Sequence, residues 1–184
     1  MAGHRTSHPL GNAAARCAVA ESAAGARADG GATIAVGVIS DTHGLLRPQA
    51  LQALAGSDFI IHAGDIGDAA ILAQLALIAP VTAVRGNNDK GGWARHVPET
   101  AMLEAGGAQI YVIHDLAELD LDPAVAGFRV VVAGHSHKPG LERRDGVLYL
   151  NPGSAGPRRF TLPIALARLR IDGNGAQAEI VELG

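Results

Sequence analysis

Two histidines separated by one serine, His135 and His137 in "GHSH", close the apolar run "VVVA". At i and i+2 of an extended chain both imidazoles project to the same side, so they could grip one object such as a metal ion. Alone, the pair suits a polar turn equally well. The pattern recurs, however, after other apolar runs: "SDTHG" with Asp41 and His43 follows 34–39, and "GDIGD" with Asp65 follows 58–63. "RGNND" with Asn87 and Asn88 follows 81–84, and "HDL" with His114 follows 110–113. Asp41, Asp65, Asn87, His114 and His135 are spaced by 24, 22, 27 and 21 residues, each interval long enough for one crossover or hairpin and return. Glycines 44, 64, 86 and 134 flank these positions and permit tight turns or close backbone approach.

Positioning such residues requires strands that end at one edge. "IAVGVI" and "DFIIHA" read as strands, and between them "RPQALQALAG" reads as a helix with Pro48 in its first turn and Gly56 at its end. "DAAILAQLALIA" is a second helix, with Asp68 as N-cap, and "VTAVRG" is a third strand. This β-α-β-α-β order predicts a parallel sheet, whose strand C-termini form the crevice in which ligands bind. After it, "TAMLEAGGAQIYVIHD" reads as two strands about Gly106 and Gly107, and "RVVVAG", "GVLYLNPGS", "PIALARLRI" and "AQAEIVEL" as further strands. Helix is expected there only within 115–126. The architecture predicted is a four-layered α/β/β/α sandwich, two packed mixed sheets with helices outside.

In order, "DTH", "GDIGD", "GNND", "IHD" and "GHSH" resemble the composite motif of the calcineurin-like metallophosphoesterases, D-x-H, G-D, G-N, a lone His, then G-H-x-H, over nearly all of 34–157. "HAGDI", "GNND" and "NPGS" are most similar to the small bacterial and archaeal phosphodiesterase group. The resemblance implies one divalent ion held by Asp41, His43, Asp65 and His137, and a second held by Asp65, Asn87, His114 and His135, with Asp65 bridging. It implies phosphodiester hydrolysis by in-line attack of a metal-bridging hydroxide on a small phosphate ester, with Asp65, Asn87, Asn88 and His135 as the catalytic residues. Oxygen and imidazole donors without thiolate suit manganese, iron, cobalt, nickel or zinc better than calcium and do not choose among them; manganese is the ion expected. Many phosphomonoesterases of the superfamily carry a proton-donating histidine where this chain has Asn88, and an amide cannot act as a general acid. His62 and His96 are the nearest substitutes, although His62 reads more readily as a packed residue and His96 as exposed loop. Asp68 serves as outer acid or as helix cap with equal ease, and Arg158 and Arg159 could clamp a phosphate, although a solvated pair is the simpler reading. A related branch, the retromer scaffold subunit, supplies the alternative of a non-catalytic protein-binding fold.

Composition bounds these readings. A chain of 184 residues, 48% hydrophobic and 18% charged, suits one domain with a sizeable core. A net charge of -3 and 3% aromatics argue against an extended nucleic-acid surface, and no membrane association is expected. Cys17 is the only cysteine, which excludes an intramolecular disulfide and thiolate zinc sites and fits a reducing cytoplasm. Residues 1–32, with 11 alanines and 5 glycines and no hydrophobic periodicity, are expected to form a flexible tail, with the domain spanning 33–184. His4 and His8 fall in that tail. A homo-oligomer is compatible with everything above.

Overall fold

The computed structural model describes residues 33–184; the stretch expected as a tail lies outside the described residues. The first half follows the predicted rhythm: β1 (Ile34–Ile39), α1 (Pro48–Leu54), β2 (Phe59–His62), α2 (Ala69–Leu75) and β3 (Val81–Ala83). Pro48 opens α1, where its missing N–H costs nothing, and Gly56 just beyond the helix adopts φ 81°. Asp68 caps α2, its carboxylate accepting from the Ala70 N–H at 2.8 Å.

The second half contributes β4 (Thr100–Ala105), β5 (Ala108–Ile113), β6 (Val130–Val132), β7 (Gly140–Arg144), β8 (Val147–Asn151), β9 (Ala165–Asp172) and β10 (Gly175–Glu182). Two five-stranded mixed sheets result, in the orders β10-β9-β1-β2-β3 and β4-β5-β6-β8-β7. In the first, β1, β2 and β3 are parallel; in the second, β5, β6 and β8 are parallel. Strand β7 escapes hydrophobic patterning because all five of its residues, "GLERR", are exposed. Its existence follows from the turn: Asp145 and Gly146 take φ 51° and 82°, the mirror-image turn that a two-residue hairpin needs, and Arg144 pairs with Val147 across it.

The sheets face each other through Val36, Val38 and Ile61 on one side and Ile110, Val130 and Leu150 on the other, within a single buried cluster. Both helices cover the outer face of the first sheet, where Leu54 of α1 and Leu75 of α2 are wholly buried against Ile39, Ile60 and Leu166. The fourth layer differs from expectation. The second sheet is covered by the loop 115–128, which holds one short 3-10 turn (Leu116–Glu118) and packs Leu116, Leu119 and Leu121 on Tyr111, Phe128 and Val131. Pro123 and the Asp122 carboxylate, which accepts from the Ala124 and Val125 N–H groups, turn that segment back before a helix can propagate. This cover reaches Val147 and Tyr149 of β8 and leaves β7 exposed.

Candidate metal centre

The loops after β1, β2, β3, β5 and β6 all emerge at one edge of the sandwich. Backbone bonds lace them: Asp41 N donates to Gly64 O (3.0 Å), His43 N to Asp65 O (2.9 Å), and Gly134 N to His114 O (2.9 Å). The "NPGS" turn adds Ser154 Oγ to Asp41 O at 2.9 Å and Ala155 N to Ser40 O at 3.1 Å. Close approach explains two of the flanking glycines. A methyl group at Gly86 would collide with the Asp65 backbone and carboxylate, and one at Gly134 would collide with Ser40 and crowd Asp41.

Seven non-glycine residues have positive φ among the described residues, and five of them are predicted ligands: Asp41 (54°), His43 (45°), Asp65 (51°), His135 (64°) and His137 (58°). Left-handed backbone is costly for such residues and persists where surrounding structure overdetermines it, as at functional sites. Here it aims side chains from separate loops at a common volume.

Asp41, His43 and His137 bring ligand atoms within 4.8 Å of one another, as do Asp41, Asp65 and His114. Asp65 Oδ2 lies between two histidines, 3.7 Å from His43 Nε2 and 3.6 Å from His114 Nε2. His137 Nε2 is 3.2 Å from Asp41 Oδ1 and 3.4 Å from His43 Nε2. Asn87 Oδ1 lies 3.2 Å from His114 Nε2. His135 is the loosest member: its half-exposed ring meets His114 edge-on, with centroids 5.2 Å apart, and its Nε2 lies 3.6 Å from Asp115 Oδ2. Its backbone N–H donates to Asp41 Oδ2 at 3.2 Å.

These groups fit divalent cations. His114 Nδ1 lies 2.7 Å from the Ala63 carbonyl and donates to it, so Nε2 is the nitrogen that faces the oxygens of Asp65 and Asn87, donating to Asp65 when protonated and offering its lone pair once a cation displaces that proton. That is the bonding of a metal-ligating histidine, with the far nitrogen tied to a carbonyl and the near one free for a cation. Asp41 Oδ1 is likewise buried without a hydrogen-bond partner. Protonation equilibria report the same field. Burial opposes charge on His114, but its bonds to Asp65 and Ala63 outweigh that and raise its pKa. Burial would raise the Asp65 carboxyl, yet hydrogen bonds from His114 and Asn88 hold it well below the usual carboxylate range. Burial lowers His43, against the pull of Asp65 and Asp41.

Around the ligands lie residues that patterning underrated. Asn88 grips Asp65 twice, through its N–H to Oδ1 (2.8 Å) and Nδ2 to Oδ2 (2.7 Å). Asp89, next in "GNND", accepts from Gly67 N (2.8 Å) and Gly86 N (2.7 Å), stapling the β2 and β3 loops together. Its signal was an acid two residues beyond a ligand. Asp68 is an exposed helix cap rather than an outer acid of the centre. His62 is wholly buried, bonded through Nε2 to Thr42 Oγ1 at 2.9 Å, and burial lowers its pKa to about 4. It is therefore a packed residue behind the ligands and unsuited to proton donation. His96 closes an exposed 3-10 turn (Ala94–His96). Arg159 does not belong to a merely solvated pair, since its Nη2 lies 3.5 Å from His43 Nε2 at the rim of the centre.

Comparison with known proteins agrees with this geometry. Residues 34–174 match the calcineurin-like phosphoesterase superfamily domain. The chain belongs to that superfamily. A probable metallophosphoesterase of Methanothermobacter thermautotrophicus is 34% identical over 161 residues, covering 81% of this chain and 92% of the relative. A phosphodiesterase of Methanocaldococcus jannaschii is 27% identical over 137 residues, covering 64% and 82% respectively. In fold, vacuolar protein sorting 29 from Cryptosporidium parvum superposes with a TM-score of 0.66 at 18% identity, over 82% of this chain and 97% of that one. This metallophosphoesterase thus shares its two-sheet architecture with a protein named for vacuolar sorting. No helix among the described residues is long and apolar enough to cross a membrane.

Proposed function

We propose that this metallophosphoesterase is a dinuclear phosphodiesterase acting on small phosphate esters. The observation that carries the reading is the convergence of the donors of Asp41, His43, Asp65, His114 and His137, with Asn87 beside His114, at one edge of both sheets; His135 stands at their margin. Asp41, His43, Asp65 and His137 would hold one ion, and Asp65, Asn87, His114 and His135 the other. Bound there, two divalent ions supply a hydroxide nucleophile at neutral pH and positive charge for the phosphoryl oxygens. Manganese is the favoured ion, and iron, cobalt, nickel and zinc also suit the donors. The lone cysteine suits a reducing cytoplasm.

The chain's own residues do the positioning. Asn88 fixes the rotamer of Asp65, the Ala63 carbonyl fixes the tautomer of His114, and Asp89 holds the loops that carry both. Arg159, at the His43 rim, binds a non-bridging phosphoryl oxygen through its planar donors. With Asn88 committed to Asp65 and His62 buried, neither stands ready to protonate a departing alkoxide. Esters with good leaving groups are accordingly preferred.

The test is metal content by elemental analysis together with hydrolysis of bis(p-nitrophenyl) phosphate and alkyl phosphomonoesters. About two ions per chain and faster diester turnover are expected. Two bound ions with no turnover of any ester would favour a protein-binding scaffold instead, and no metal uptake would defeat the reading.

A further inference from the structure

We infer that the uncovered groove on the outer face of β8 and β7 is a subsite for the retained ester group of a phosphodiester, and that it takes a ring-bearing group such as an aryl or nucleoside moiety. This rests on the phosphodiesterase reading. The groove is a cavity of about 360 Å³, within the range of small-molecule sites. Val131, Ala133 and Tyr149 form its floor, and Leu116 an apolar side. It lies where the loop 115–128 gives way to the exposed strand β7, with Leu116 at its edge.

Continuity with the metal centre identifies the occupant. One end of the groove is formed by His135 and Asp115, whose side chains are 45% and 31% exposed and whose Nε2 and Oδ2 lie 3.6 Å apart. Ser136 and Asn151 line the same end, Asn151 Nδ2 donating to Gly134 O at 2.7 Å and to Ser136 Oγ at 3.1 Å. At the other end Arg144 pairs with Glu142 through two bonds, Nε to Oε1 (2.7 Å) and Nη2 to Oε2 (2.5 Å). The same guanidinium lies 5.0 Å over the Tyr149 ring. With those charges mutually satisfied, the interior favours an uncharged planar group, while exposed Lys138 leaves the rim cationic toward an approaching phosphate.

The geometry of hydrolysis requires such a place. The oxygen of water bonds to phosphorus opposite the leaving oxygen, the phosphorus–leaving oxygen bond breaks with its electron pair, and a proton from that water ends on the departing alcohol or on solvent. The other three oxygens spread sideways, and in a diester one of them carries a carbon group that must lie beside the centre. The groove opens sideways from His135. A monoester has nothing to put there, so the groove selects for diesters.

Two diesters that share p-nitrophenolate as leaving group separate recognition from chemistry: one retains a methyl group, the other a thymidine 5′ group. Wild type is expected to favour the thymidine ester by about tenfold or more in kcat/KM, the scale of discrimination an apolar pocket provides. Tyr149→Ala and Gly140→Trp, the latter filling the groove from an exposed position where an added side chain meets open space, should bring the preference within about twofold and leave the methyl ester unchanged. As a readout independent of turnover, thymidine 5′-monophosphate should shift the methyl resonances of Leu116 and Val131, which inorganic phosphate leaves in place. A preference retained in both variants, or groove methyl groups indifferent to the nucleotide, would overturn the proposal. If neither ester is hydrolysed the phosphodiesterase reading falls, and the methyl shifts still decide whether the groove binds the ring.

Discussion

Asp65 has little freedom to turn away from the centre: two donors of Asn88 hold its oxygens, and His43 and His114 flank the outer one. Asp65→Asn replaces a charge-bearing acceptor by an amide that repels the Asn88 donor, so metal content and kcat/KM should both fall, the latter by about 100-fold or more. Elemental analysis and diester kinetics on one preparation check this, and wild-type values for both would remove Asp65 from the centre. Asn88 shows how far a motif can be read. From "GNND" alone it is a position that lacks a proton-donating histidine, so Asn88→His would seem to supply an acid for poor leaving groups. The structure adds that Asn88 already works for Asp65. Asn88→His is therefore expected to lower metal affinity about 10-fold, with any gain on alkyl esters visible only at saturating metal. Titrating activity against manganese for both proteins separates the two effects; unchanged metal affinity would mean that the Asp65 clamp is dispensable.

Among the elements, strands with β-branched residues and the caps of both helices were legible because each carries its signal locally: Pro48, Gly56 and Asp68 sit where the helices begin or end. Strand β7 was not, because its residues face water and only its partner and its Asp145-Gly146 turn define it. The missing outer helix has the same root, since the leucines of 115–128 satisfy their burial from a loop. At the end of β2, His62 gives this level a measurable consequence. Burial holds its pKa at about 4, below the ordinary histidine value of 6.5, so between those pH values the unfolded chain binds a proton that the folded one excludes. Stability contributed by the neutral ring is complete above pH 6.5 and is lost as pH falls toward 4, amounting to about 3 kcal/mol across that window. His62→Gln keeps a donor toward Thr42 and removes the titration. Urea midpoints measured from pH 7 to 4 should therefore fall less steeply in the variant, and parallel slopes would mean that His62 does not carry the effect.

At the scale of the molecule, the sandwich divides the predicted ligands between its halves: Asp41, His43, Asp65 and Asn87 follow strands of the first sheet, and His114, His135 and His137 follow strands of the second. That division was legible in the spacing, which repeats strand, loop and ligand. The pairing of ligands within the centre was not, because it depends on loop backbones that sequence periods do not describe; five left-handed residues set it. On the dinuclear reading, the same division would couple metal to folding. Ions held from both sheets would bind the folded state and not the open chain, stabilising it by mass action, about 2.7 kcal/mol for one site at a hundredfold excess over its dissociation constant. For a domain of this size each kcal/mol shifts Tm by about 2 to 4 °C, so full chelation should lower Tm by roughly 5 to 10 °C per ion lost. Re-addition of manganese should restore it. His137→Ala, which removes a second-sheet ligand facing Asp41 across 3.2 Å, should leave the chelated protein's Tm nearly unchanged while reducing the gain that manganese provides. A Tm indifferent to chelator in the wild type, with metal removal verified by elemental analysis, would mean that the ions do not join the two sheets.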